Sequence, residues 1–428
     1  MRILTVVSDL GIGGTQRVAQ NYAMGYADAG HHSAILGYAG GGPRADVLRS
    51  AGLPVFAASR EAPDDALREA LLWRPDVVHI HREGNPDRRS GEVARRFREE
   101  TPRVSLLETN VFSRADRTPD GSLFDLHLQL TEWCLWKWTR WTADIQPRPL
   151  GVVVPNAVDA APFFRDEGAR AAFRVQYKLP LDAVVVGRIG QPIGAKWHRA
   201  LISSFVSTAQ SRPNLHLLVI GFPADMVELV DNLPAGIRRR VHVHPPVHGD
   251  DALRGAYNAV DVFAHAAKKG ESFGMVLTEA MLCEVPVLTL GRLANDNSQS
   301  EVVGHGVGGL VAANEAAFSE ALATLVDDSA LRKRLGAGGR ERVLARYTLE
   351  RVMPVLLRLV EAAVSAPSRS ALHEAILADR NLITNPDAAA LRRLRETTVG
   401  RYSLLDRALS AIVHVPWVYR GFRRLKGR

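Results

Sequence analysis

Two glutamates eight residues apart, Glu271 and Glu279, stand in the run Lys269-Gly270-Glu271-Ser272-Phe273-Gly274-Met275-Val276-Leu277-Thr278-Glu279-Ala280-Met281. Gly270 and Gly274 let the backbone come close to a ligand. Ser272 is placed to cap a helix starting near Gly274, whose free amides and positive dipole end suit a phosphate. Glu271 then lies in the mouth of that site and Glu279 one to two turns into the helix, so both carboxylates can look into one cleft. A carboxylate beside a phosphate site makes chemical sense where it accepts hydrogen bonds from hydroxyls, and sugars supply those. The same spacing also fits a plain helix capped by Ser272 and Glu271, with Glu279 on its wet face.

The run needs elements to hold it. Apolar stretches of strand type flank it, residues 259–264 before and 285–290 after, so it reads as the loop and helix of a βαβ unit. That places it at the carboxyl end of a parallel strand, where open α/β sheets bind ligands. The chain begins on the same plan. A buried-type strand, Met1 to Val7, leads into the Gly-rich turn of residues 8–17 and a helical pattern that Gly30 closes. The spacing departs from G-x-G-x-x-G and no acidic ribose partner closes the next strand, so a Rossmann NAD site is only weakly supported. Further αβ units follow, including the strand Pro75-Asp76-Val77-Val78-His79-Ile80-His81, in which His79 reads as packed and His81 as nearer the mouth. Trp133, Trp136, Trp138 and Trp141 crowd into nine residues, where core packing is the expected use.

With these residues in view, the chain resembles the retaining glycosyltransferases of the GT-B fold, in particular family 4. Glu271 and Glu279 are similar to the family's E-x7-E signature. Gly13-Gly14-Thr15-Gln16-Arg17 resembles its donor-facing loop, and Pro155-Asn156-Ala157-Val158-Asp159 resembles the element at the entry to its second domain. The resemblance covers residues 1 to about 365. It implies two Rossmann-like, doubly wound α/β domains with parallel sheets facing across a cleft, and a nucleotide-sugar donor, UDP- or GDP-linked. It implies Arg188 and Lys196 at the diphosphate, Glu279 at the ribose hydroxyls and Glu271 at the transferred sugar. The amides of Phe273, Gly274, Met275 and Val276, together with Gly13 and Gly14, would complete the cradle. Val247, after two prolines, would meet the nucleobase. His81 and Asn110 fall on the acceptor side, Asn110 standing where many relatives carry a histidine. Arg and Lys can neutralise a leaving diphosphate without a metal. No Asp-x-Asp and no Cys/His ligand spacing is present, so neither a metal nor a resident cofactor is expected.

At 428 residues the chain exceeds a single core, so two domains are the default. The expected division is 1–155, an acceptor-binding domain; 156–345, a nucleotide-sugar-binding domain; 346–366, a helical crossover back to the first; and 367–428, a basic amphipathic extension. Two cysteines, Cys134 and Cys283, argue against a disulfide framework. The first residues lack a secretory apolar region, and a cytoplasmic location is expected, peripheral on the inner face of the cytoplasmic membrane. Of the formal net charge of +8, the residues from Ser368 onward contribute 12 Arg or Lys against 5 Asp or Glu. Aromatics interleaved with basic residues from Trp417 to Arg428 suit an anionic membrane surface, whereas the near-neutral body lacks a groove for nucleic acid. The expected activity is sugar transfer, with retention, to a glycan or lipid-linked acceptor in cell-surface polysaccharide or glycolipid assembly. A nucleotide-sugar 2-epimerase of the same fold, or a Rossmann-like binding protein without catalysis, are the other readings.

Overall fold

The computed structural model describes residues 1–425, with side chains to residue 421. It divides into two compact units: Met1–Val158 with Leu349–Asp387 and Ala411–Arg428, and Asp159–Thr348 with Ala388–Ser410.

The first unit is built on seven strands, β1 (Arg2–Val7), β2 (His32–Gly37), β3 (Val55–Ala57), β4 (Val77–Arg82), β5 (Ser105–Asn110), β6 (Leu126–Gln129) and β7 (Gly151–Val153). They lie in the order β3-β2-β1-β4-β5-β6-β7 and every neighbouring pair is parallel. Both faces are covered, so successive strand residues feed different cores. Leu36 joins Ala70 and Phe97 on one side, and Ile35 joins Ala19 and Ala23 of the helix Gly14–Asp28 on the other. Continuous apolar strands are the sequence signature of that double burial.

The second unit repeats the plan with β8 (Val184–Ile189), β9 (Leu215–Ile220), β10 (Val241–His244), β11 (Val262–His265), β12 (Val287–Leu290) and β13 (Gly309–Ala312), ordered β10-β9-β8-β11-β12-β13 and all parallel. Helix starts follow side-chain chemistry: Asp166 accepts from Ala169 N at 2.8 Å, Asn314 from Ala317 N at 3.0 Å and Asp328 from Leu331 N at 2.8 Å. Gly336 to Gly339, which look like a break in the sequence, lie inside the helix Ser329–Arg346. A Cβ at Gly339 would stand 3.0 Å from Met281 Cγ, so the glycines admit a neighbouring helix rather than end this one.

The last sixty residues, read above as one extension, are shared between the units. Val399 accepts from Ala313 N at 3.0 Å and donates to Val311 O at 2.8 Å, bordering β13 of the second unit. The helix Pro416–Leu425 belongs to the first, where Tyr419 is buried and stacks on Trp141 at 4.2 Å between ring centroids. Trp133, Trp138 and Trp141 of the helix Glu132–Trp141 are buried, as core packing requires. Lys426, Gly427 and Arg428, part of the expected membrane-binding end, lie outside the described residues.

Candidate functional site

In each unit the strand order reverses between two central strands, β1 and β4 in the first and β8 and β11 in the second, and crevices at such reversals bind ligands. The chemistry-bearing residues of the second unit gather there.

Arg188 is the fifth residue of β8 and is almost wholly buried. Its Nη1 donates to Ile189 O and its Nη2 to Lys196 O at 3.2 Å, so the guanidinium holds the loop that leaves the strand. The same group lies over Trp197, 5.0 Å from the ring centroid, and Nε has no partner among the described residues. Burial brings its pKa down to about 10 against the opposing pull of Glu271. Arg188 therefore remains charged at neutral pH.

Lys196 ends the short turn Gly194–Lys196, and its Nζ donates to Glu271 Oε2 at 2.6 Å. His265, the last residue of β11, places Nε2 3.3 Å from the other oxygen, Oε1. Burial pushes the Glu271 carboxyl upward, yet Lys196 and His265 outweigh it and leave the pKa at about 2. Burial, aided by Arg188, lowers His265 to about 4, so at neutral pH this imidazole is uncharged. The loop is pinned from below as well: Glu271 N donates to Gln299 Oε1 at 2.9 Å and Ser298 N to Glu271 O at 3.0 Å.

Glu279 sits one turn into the helix Met275–Leu282 and accepts from the Tyr257 hydroxyl at 2.7 Å. Both carboxylates are buried, Glu271 at 7% exposure and Glu279 at 5%. The expected cap is corrected: Gly274, in the left-handed region at φ 91°, is the N-cap residue, and it has no side chain to cap with. Ser272 does not take that role. A glycine there leaves the first amides, including those of Met275 and Val276, without intrahelical partners. Phe273 is buried edge-on against Tyr347 at 5.3 Å, and Val247 lies half-buried in the loop after β10.

In the first unit, Gly13 and Gly14 open the helix Gly14–Asp28. Asp9 shapes their loop, accepting from Gly11 N at 2.9 Å and from Gln16 Nε2 at 3.1 Å. His79 is a satisfied core residue, between the Tyr26 hydroxyl at 3.0 Å and Thr109 Oγ1 at 2.7 Å. His81 is also buried, 4.7 Å from the His79 ring, and its Nε2 finds no partner among the described residues. Burial, with His79 beside it, drives its pKa well below the ordinary value. Asn110 differs from the expectation. Its Nδ2 donates to Arg114 O at 2.8 Å and its Oδ1 accepts from Arg114 N at 3.1 Å, so both ends of the amide close a loop instead of facing an acceptor.

His265, Tyr257, Gln299 and Asp9 were not singled out from sequence. Only His265 carried a signal, its place at the carboxyl end of a central strand.

Residues 170–342 match the family model described as Glycosyl transferases group 1. The D-inositol 3-phosphate glycosyltransferase of Kineococcus radiotolerans is 35% identical over 210 residues, 45% of this chain and 47% of that one. The capsular polysaccharide biosynthesis glycosyltransferase CapM of Staphylococcus aureus is 29% identical over 174 residues, 40% of this chain and 44% of that one. The chain thus spans about half the length of the curated relatives it matches. Among solved structures, Anabaena HepE in complex with UDP-glucose superposes with a TM-score of 0.67 at 16% identity, covering 85% of this chain and 100% of that one, which shows a shared fold.

Proposed function

We propose that this protein, whose residues 170–342 match the family model described as Glycosyl transferases group 1, moves a sugar from a nucleoside-diphosphate sugar, UDP- or GDP-linked, to an acceptor hydroxyl with retention at the anomeric carbon. The observation that carries the reading is the convergence of Arg188, Lys196, Glu271 and the amino end of the helix Met275–Leu282 at the β8/β11 reversal, with Glu279 on the same helix. The bond from the anomeric carbon to the diphosphate oxygen breaks, and the acceptor oxygen bonds to that carbon on the same face. The acceptor proton passes to the departing phosphate. Arg188, Lys196 and the helix amides stabilise the charge that grows on the leaving group, with no metal required. Glu279, positioned by Tyr257, accepts from the ribose hydroxyls, and Glu271 from a hydroxyl of the transferred sugar.

Incubation with UDP-, GDP- and ADP-sugars in EDTA, with products read by NMR, tests this. Transfer with the donor's anomeric configuration kept is expected. Conversion of the free nucleotide sugar to its epimer would replace the reading with the 2-epimerase. Absence of any nucleotide response would favour a binding protein. Restoration of a chelator-sensitive activity by Mg2+ or Mn2+ would refute the metal-free clamp.

The acceptor we propose is a glycan or lipid-linked glycan of cell-surface polysaccharide or glycolipid assembly, a reading supported by the name of the CapM relative. The final helices support a membrane-borne acceptor. On the helix Leu404–Val413, Leu405, Leu409 and Ile412 recur at the spacing of one face and are 67%, 41% and 51% exposed. From residue 401 onward the sequence has seven basic residues and one acidic one. An exposed apolar helix face within a basic stretch of sequence suits an anionic leaflet at the inner face of the cytoplasmic membrane. Because Val399 borders β13, truncation at Pro367 would damage the second unit, so Leu405→Glu with Leu409→Glu is the cleaner perturbation. It should abolish sedimentation with phosphatidylglycerol vesicles while leaving UDP binding intact. Equal sedimentation of variant and wild type would dismiss the membrane role.

A further inference from the structure

The first unit holds a cavity of about 410 Å³ that the proposed sugar transfer does not use. Its lining includes Ser122 and Phe124, just before β6, and residues 145–149, just before β7. Arg114, Asp116 and Arg117, in the loop after β5, line it too, whereas the Gly13–Gly14 loop, which follows β1, does not. A volume of this order lies in the range of small-molecule sites.

A chain of buried charges ends at its wall. Arg82 pairs with Asp116, and its Nε lies 3.2 Å from Glu108 Oε1. The other oxygen of Glu108 receives His127 Nδ1 at 2.5 Å. Glu108 is 2% exposed and His127 6%. With Nδ1 held by the carboxylate, Nε2 is the free ring nitrogen, and no described residue partners it. Trp138 and Phe124 flank the imidazole at 5.0 and 5.9 Å, which fixes its plane.

Four arginines, Arg114, Arg117, Arg148 and Arg369, also line the space against only Glu108 and Asp116, and Arg82 stands behind both of those carboxylates. Arg117 is tied to Asp144 at 2.7 Å and Arg369 to Asp125 at 3.1 Å. Arg148 is exposed and carries no hydrogen bond or ion pair among the described residues. Ile145 and Pro147 add apolar wall beside the two aromatic rings, among polar groups such as Thr142, Gln146 and His373.

We propose that this cavity is a second ligand site, for a small organic anion with a phosphate or carboxylate on an apolar or ring-shaped body. The anionic group meets Arg148, and the body packs against His127, Phe124, Trp138 and Ile145. Arginine suits such oxyanions by geometry as well as charge. A site in the first unit, lined by none of the residues assigned to the nucleotide, takes its ligand independently of it, as an effector would.

Titration of the full chain with phenyl phosphate by calorimetry, UDP being present in excess, tests the proposal. Saturable binding is expected, with inorganic phosphate and phenol each weaker. Arg148→Ala should weaken it by ~10-fold or more, the loss of a charge-assisted contact. His127→Gln should weaken it as well, and Arg148, on an exposed loop, keeps the test decisive should the buried variant fail to fold. No saturable binding of phenyl phosphate overturns the proposal. So does binding that UDP competes away, or binding that Arg148→Ala leaves unchanged.

Discussion

Replacing Glu271 by glutamine removes one negative charge and keeps the shape, so it tests the ion pair with Lys196 directly. Two opposite effects follow. The folded protein holds Glu271 at a pKa of about 2 against an ordinary 4.5. A depressed carboxylate contributes stability above its unfolded pKa and loses that contribution as pH falls through the folded value. The gap corresponds to about 3 kcal/mol at most by the usual conversion. Lys196 is 34% exposed, so solvent screening brings the expected loss nearer ~1–2 kcal/mol. Glu271→Gln, a mimic of the protonated acid, should therefore melt several degrees below wild type at pH 7. The difference should shrink steadily as both are taken from about pH 4.5 toward pH 2.

Nucleotide affinity should move the other way. In the free protein the Lys196 ammonium is already engaged by Glu271 at 2.6 Å, and a diphosphate has to draw it off. Freeing Lys196 removes that competition, worth about 1 kcal/mol for a partly exposed pair, and UDP should bind roughly fivefold more tightly. Turnover should fall nonetheless, because Glu271 no longer accepts fully from the sugar. Calorimetry with UDP at two salt concentrations, beside thermal melts over the pH series, separates the effects. A variant as stable as wild type at pH 7 that binds UDP no more tightly would show that the pair neither stabilises the fold nor competes with the diphosphate.

Glu279→Ala should weaken UDP binding by ~1.5–3 kcal/mol, the cost of losing a buried charged hydrogen-bond partner, and an unchanged Kd would remove Glu279 from the ribose. Gly270→Ala should lower the melting temperature markedly. Gly270 has φ 69° and a Cβ there would overlap the Asp296 carbonyl oxygen, so the expected cost is ~1–3 kcal/mol, and an unshifted melt would contradict the loop geometry. Tyr419→Ala removes the stack on Trp141 and the acceptor for Ala115 N at 3.2 Å, which should loosen the last helix, read as faster limited proteolysis after residue 415 at little change in global stability. Identical cleavage kinetics would mean that other contacts hold the helix.

Much of this was legible because parallel strands buried on both faces must be continuously apolar, and because ligand residues cluster where such strands end. Residues 259–264, 269–281 and 285–290 carried strand, loop and strand in one stretch, so Glu271 and Glu279 could be placed by local spacing. What spacing cannot carry is the partner brought in from elsewhere. Tyr257 reaches Glu279 from the preceding helix, and Gln299 reaches the Glu271 amide from 28 residues downstream. Ser272 has the side chain of a helix cap, but the chain turns through positive φ at Gly274, and backbone freedom decided the matter there. Asn110 shows the same limit in reverse. A residue type suited to binding is consumed by the loop four residues on.

The site so assembled carries its own counter-charges. Arg188 gives Nη1 and Nη2 to backbone carbonyls, and Lys196 gives Nζ to Glu271. A diphosphate arriving there does not meet bare cations awaiting it. In the proposed reaction it would exchange with Glu271 for Lys196, and Glu271, with His265 uncharged beside it, would be released toward sugar hydroxyls. Donor binding and the freeing of the sugar-facing carboxylate would then become one event, since the buried Glu271 cannot be left without a partner. That coupling requires the length of Lys196 and the rigidity of the loop that Gln299 pins. Glu271→Gln, which uncouples them, is the change that exposes it.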